Sequence, residues 1–190
     1  MNFNGKFERK GIRDRLRGLR EGFLVLVVSP PEKYEDTNIE ILTMFCNDEK
    51  LSGLYITVNR PYSALVENLR SRGVNVDNLF FIDLITKTSG ESPERTKNCL
   101  FISSPENLTD LGIAIDEAIY ADGNKKFLFL DTVSSLLLYN SAGTIKNFEE
   151  FIITRMRRGN LKGIMISIDK DEKEIIAFLS HFCDKFIIIS

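Results

Sequence analysis

From Phe23 onward the chain alternates short apolar runs with amphipathic stretches, and this alternation constrains its fold more than any other feature. Seven runs read as strands: Phe23–Ser29, Leu54–Val58, Leu79–Asp83, Cys99–Ser103, Lys126–Asp131, Gly163–Ile168 and Lys185–Ile189. Most are unbroken Val, Ile, Leu and Phe, the pattern of strands covered on both faces. The stretches 37–50, 61–72, 106–121, 144–158 and 171–182 read as helices between them. In the third, Leu108, Leu111, Ile115 and Ile119 share one helical face, with Asn107 or Thr109 as its cap and Gly123 just past its end. Pro61 and Pro105 fall where helices start. Strand–helix alternation of this kind predicts an α/β fold: three layers, a mainly parallel sheet and helices on both faces.

Two stretches interrupt the rhythm. Thr86–Asn98 is polar and rich in turn residues, and reads as an exposed loop. Residues 1–22 form a basic arm with seven Lys/Arg against three acids, net +4, which leaves −6 on the rest of a chain whose net charge is −2. The arm has too many glycines and too few apolar residues for an independently stable helix. At 190 residues, the expected organisation is an arm over 1–22 and one α/β domain over 23–190.

A 43% apolar and 27% charged composition is that of a soluble globular protein. The small net charge gives no global attraction to nucleic acid or anionic membrane. Cys46, Cys99 and Cys183 are odd in number and widely spaced, which argues for a reducing compartment and against a disulfide framework or zinc site. No apolar run of signal-peptide length follows the early basic residues, and Phe186–Ile189 is far too short to span a bilayer. The expectation is a cytoplasmic protein with no membrane contact.

The segment after the first strand carries the main functional information. A nucleotide-binding α/β protein would place G-x-x-x-x-G-K-[ST] there, with glycines that let backbone N–H groups wrap phosphates and a lysine that neutralises them. This chain has Pro30-Pro31-Glu32-Lys33-Tyr34-Glu35-Asp36-Thr37, without a glycine. Two prolines remove donors and three acids add repulsion toward phosphate. The expected structure is a Pro-Pro turn followed by an acid-capped helix starting at Thr37.

The order of these pieces across residues 20–190 resembles the KaiC-like branch of the RecA ATPase superfamily. The resemblance rests on GFLVLVVS for the first strand, LSGLYITVNRPYSALVENLRSRGVNVDNLFFIDL for the next two, KFLFLDTVSSLLLYN for the Walker B strand and FCDKFIIIS for a closing strand. It implies a RecA-like sheet, with Asp131 as the Walker B aspartate that helps to hold Mg²⁺. The paired glutamates that polarise the attacking water in that family correspond here to Asn59 and Arg60, neither able to act as a general base. The family's phosphate loop is replaced outright.

Each candidate has a structural reading beside the functional one. Asp131 is either a relic metal ligand, relevant only with a nucleotide–Mg²⁺ complex, or a strand-end aspartate capping the next turn. Ser29, Lys33, Thr37 and Asn59 are candidates for a vestigial nucleotide site, with Tyr34 beside them. The lone histidine, His181, reads as a half-exposed helix residue, and Arg155, Arg157 and Arg158 as cations at a helix C-terminus. The arm suits either nucleic-acid phosphates or a protein neighbour.

The sequence therefore points to a non-catalytic RecA/KaiC-like domain with a regulatory, scaffolding or signalling role, acting through a protein partner or self-association, without a cofactor. One alternative is a nucleotide-binding protein or weak ATPase using ATP and Mg²⁺ at an unconventional site. The other is a small-molecule sensor at the carboxyl edge of the sheet.

Overall fold

The computed structural model describes residues 11–90, 92–94, 96–120, 125–168 and 173–190. Seven strands form a single sheet: β1 (Leu24–Ser29), β2 (Gly53–Thr57), β3 (Leu79–Asp83), β4 (Cys99–Phe101), β5 (Phe127–Asp131), β6 (Lys162–Ile168) and β7 (Lys185–Ile188). Their order is β4-β3-β2-β5-β6-β1-β7, and every pairing is parallel. All seven strands read from the sequence are present, with ends displaced by two residues at most.

Successive residues of each central strand feed opposite cores. Val25, Val27, Tyr55, Phe81, Phe127 and Phe129 face the layer made by α1 (Ile12–Arg17), α2 (Pro31–Leu42) and α3 (Tyr62–Ser71). Leu24, Leu26, Leu54, Ile56, Leu128 and Leu130 face α4 (Leu108–Tyr120), α5 (Val133–Leu136), α6 (Ala142–Arg158) and α7 (Lys173–Ser180). This is a three-layer α/β architecture. On the first face Gly53 stands opposite Phe127, and a Cβ there would fall 2.1 Å from the Phe127 ring. The missing side chain lets that ring lie over the strand and meet Phe45 at 5.0 Å between centroids.

Helix α2 departs from the sequence expectation. It starts at Pro31, directly after β1, rather than at Thr37. Pro30 is its extended cap residue and Pro31 its first helical residue, where a missing N–H costs nothing because that donor has no intrahelical partner. The stretch expected to be a turn is thus two turns of helix. Two of its three acids are also paired: Glu35 meets Arg60 at 3.3 Å and Asp36 meets Arg72 at 2.6 Å. Beyond Leu42 the helix widens into a π-helical segment, Thr43–Asp48.

Other differences are smaller. Thr86–Ser89 forms a 3₁₀ turn with Thr86 buried, so the expected exposed loop begins with a packed turn. Asn107 caps α4 by accepting from the Asp110 amide at 3.2 Å, whereas Gly123 lies outside the described residues. His181 is exposed in the turn after α7 rather than on a helix. Residues 12–17 of the basic arm are helical. Six residues are too few for a stable isolated helix, and tertiary contacts supply the difference. Ile12 and Leu16 are buried, Arg13 pairs with Asp48 at 2.5 Å, and Arg20 pairs with Asp184 at 2.8 Å. Among the described residues no helix is long and apolar enough to cross a membrane.

Glu149 on α6 is fully buried, and neither carboxylate oxygen has a partner among the described residues. Burial pushes its pKa from 4.5 up to about 8. The folded chain therefore keeps a proton that the unfolded chain releases. That stabilisation is complete below the unfolded value of 4.5 and is lost as pH rises through about 8. Glu149→Gln is expected to match the parent in acid and to exceed it by a few kcal/mol, to order of magnitude, at alkaline pH. Urea-unfolding midpoints across this range check it; equal midpoints at every pH would contradict the assignment.

Candidate functional site

The carboxyl edge of the sheet brings together residues from α2, β2, the β2–α3 connection and β5. Phe129 and Asp131 are two apart on β5 and lie on the same face. Tyr55 pairs in register with Phe129, and their rings stack at 5.1 Å between centroids. The Tyr55 hydroxyl is thereby carried to the end of β5, where it donates to Asp131 Oδ2. From the other side Tyr34 on the first turns of α2 donates to Asp131 Oδ1. Asn59 Nδ2 in turn donates to the Tyr34 hydroxyl at 2.8 Å.

Local sequence explains why these groups converge. Tyr34, Asn38, Ile41 and Leu42 recur at helical spacing and form the inward stripe of α2, with polar groups in its early turns and apolar ones farther on. The polar part faces the end of β5 and the apolar part faces the sheet. Asp131 is 2% exposed and Tyr55 is 1% exposed. Burial pushes the Asp131 carboxyl above the ordinary carboxylate range, against the opposing pull of Tyr34, Tyr55, Asn38 and the Arg60 charge. Burial, followed by the Asp131 charge, pushes both tyrosines upward, so both remain protonated donors.

The cavity left around Asp131, Tyr34, Asn38 and Arg60 is about 20 Å³. That is room for a single water, whereas small-molecule sites run to hundreds of Å³, roughly 300 or more. A nucleotide–Mg²⁺ complex is far larger than this cavity. Among the described residues no group of three or more His, Cys, Asp or Glu side chains could hold a metal ion. A larger concavity of about 550 Å³ lies apart, between α1, α2 and β7.

Of the five candidates, Asp131 and Asn59 are joined through Tyr34. Ser29 and Thr37 are buried and face each other, with hydroxyl oxygens 3.5 Å apart. Thr37 is therefore an interior helix residue, not a helix start. Lys33 is exposed and its side chain has no partner among the described residues. The expectation that Asp131 caps the following turn is corrected: Thr132 caps α5, its hydroxyl accepting from the Ser135 amide at 3.0 Å. The Asp131–Thr132 peptide bond is cis. Arg155 forms a two-point pair with Asp116 at 2.7 and 2.9 Å, and Arg157 pairs with Asp184 at 3.1 Å, so both are engaged within the chain.

Sequence reasoning missed Tyr55. The available signal was a tyrosine in an otherwise apolar, doubly covered strand, since a buried phenol needs a hydrogen-bond partner. Tyr55→Phe leaves one Asp131 oxygen without its donor and is expected to cost about 1–3 kcal/mol of stability. Asp131→Asn in the Tyr55→Phe background should recover part of that loss. The check is a double-mutant cycle by urea unfolding, in which strict additivity would contradict the pairing.

Comparison with known proteins agrees with this fold. Residues 22–189 match the Family of unknown function (DUF7504). No curated protein sequence matches the chain. The KaiC-like protein PH0186 from the hyperthermophilic archaeon Pyrococcus horikoshii OT3 is similar in structure, with a TM-score of 0.65 and 15% identity, covering 90% of this chain and 72% of that one. The uncharacterized protein PH0321 from Pyrococcus horikoshii, solved in complex with an unknown peptide, has a TM-score of 0.71 and 14% identity, covering 92% of this chain and 80% of that one. At these identities the likeness concerns the fold, which is RecA/KaiC-like. The match over residues 22–189 places the chain in the Family of unknown function (DUF7504).

Proposed function

We propose that this chain is a non-catalytic RecA/KaiC-like domain whose ancestral nucleotide site is closed by its own side chains, and that it works through protein contacts. The observation that carries the reading is Tyr34 on Asp131, with about 20 Å³ left beside it. Phosphoryl transfer depends on positioning and on neutralising charge. In place of a glycine loop this chain has a helix beginning at Pro31, and in place of a general base it has Asn59 and Arg60. Tyr34 stands in the space in front of the Walker B-type aspartate. The fold survives because neither apolar layer depends on the lost loop.

A protein partner or self-association suits the arm better than nucleic acid. Arg13 and Arg20 are paired with acids of the same chain, and Arg15 donates to the Ile188 carbonyl at 3.0 Å. The peptide bound by the structurally similar PH0321 protein also supports a peptide- or protein-binding role. A small-molecule sensor remains the second reading, favoured by the concavity of about 550 Å³ near the carboxyl ends of β1 and β7.

Calorimetry with ATP, ADP and Mg²⁺, paired with a hydrolysis assay, tests the first reading. The expected result is no hydrolysis and no nucleotide binding that depends on Asp131. Nucleotide heat present in the parent but absent in both Asp131→Asn and Tyr34→Phe would overturn it.

A further inference from the structure

The opposite edge of the sheet, where the strands begin, carries a different kind of site. Lys50 lies just before β2, Lys97 just before β4, and Lys125 and Lys126 just before β5. Because all these strands are parallel and adjacent through β3, the four lysines share one concavity of about 460 Å³. Its one carboxylate among the described residues, Asp77, is 81% exposed and leans toward Arg70 at 3.7 Å. Lys50, Lys97 and Lys126 are exposed and pair with no carboxylate among the described residues. Lys125 is held in place by donating to Ser52 Oγ at 3.2 Å and lies 5.9 Å from the centre of the Phe80 ring. The chain as a whole is net −2, so this concentration of positive charge is local and runs against the global balance.

Lys50 occupies an unusual backbone position. It follows the π-helical segment and has φ +52°, the left-handed region in which glycine is the unstrained choice. Helix ends of this kind usually carry glycine or asparagine there. The helix end sets this conformation, with the Leu51 amide donating to the Phe45 carbonyl at 2.8 Å, and it leaves the Lys50 charge at the concavity.

We infer that this cleft binds a compact oligophosphate anion, through the phosphate chain of a nucleotide or through inorganic oligophosphate. Four cations facing one carboxylate among the described residues call for a ligand with several negative charges in a small volume. Lysines provide rotatable point-charge donors that follow a phosphate chain without the planar fork that arginine imposes. Its volume of about 460 Å³ suits a ligand of nucleotide size. This site is separate from the closed carboxyl edge, and its binding would not depend on Asp131.

The test is calorimetric titration of the whole chain with sodium triphosphate and with ATP, in a buffer free of phosphate, at low and at physiological salt. Saturable triphosphate heat that weakens with salt is expected. Lys97→Gln/Lys126→Gln should lose about tenfold or more in affinity, the scale of one charge-assisted contact. Lys50→Gly should bind more weakly and yet melt at a higher temperature, a combination that misfolding cannot produce. Equal affinity for triphosphate and ATP would identify the phosphate chain alone as the ligand; tighter ATP would add its ring, with Phe80 the nearest aromatic surface. Either result supports the site. A flat triphosphate trace, affinity unchanged in the lysine variants, or binding confined to an oligonucleotide would overturn it. Heat lost in Asp131→Asn but retained in Lys97→Gln/Lys126→Gln would overturn it too, and would assign the binding to the other edge.

Discussion

A carboxyl group at the end of a buried strand has to be satisfied from inside the protein, and at Asp131 that requirement shapes the whole carboxyl edge. With 2% exposure it cannot rely on bulk water. Tyr55 reaches it along the sheet and Tyr34 reaches it from α2, so its hydrogen bonds also fasten that helix to the edge. For Tyr34 to arrive, α2 must begin at once after β1. The two prolines make this cheap, because the donors they lack would have no intrahelical partner at that position. The double hydrogen bond to Asp131 and the early start of α2 are parts of one arrangement.

This arrangement also separates fold from chemistry. The apolar layers on the two faces of the sheet are complete without a glycine loop, and aromatic contacts through Tyr55, Phe81 and Phe129 run up to the site without requiring a ligand. A hydroxyl on the strand-end carboxylate supplies the neutral donor that a buried acid needs. About 20 Å³ is left beside it. At the opposite, amino edge of the sheet four lysines collect around one concavity.

Much of the fold was legible because burial on both faces writes itself into a strand as an unbroken apolar run. Phe127–Leu130 and Leu24–Val28 are readable as interior strands from residue type alone. Boundaries governed by backbone donors were harder to place. Pro30-Pro31 reads equally well as a turn or as the first residues of a helix, and only the position of β1 against α2 decides between them. Asp131 was recognisable as a site residue, but its partners were not. Tyr34 and Tyr55 lie 97 and 76 residues from it, and no local spacing rule connects them.

The sequence alone determined the class of fold, the absence of a glycine-rich loop after β1 and the absence of carboxylates at Asn59 and Arg60. These depend on residue type and short-range order, which a linear chain states directly. Tertiary structure decided that Tyr34 and Tyr55 meet on Asp131 and that Thr132, not Asp131, caps α5. It also decided that lysines from three separate connections meet at the amino edge. The Asp131 cluster and the lysine cluster depend on which strands are neighbours in the sheet, and the order β4-β3-β2-β5-β6-β1-β7 is set by long-range packing rather than by any local run of residues.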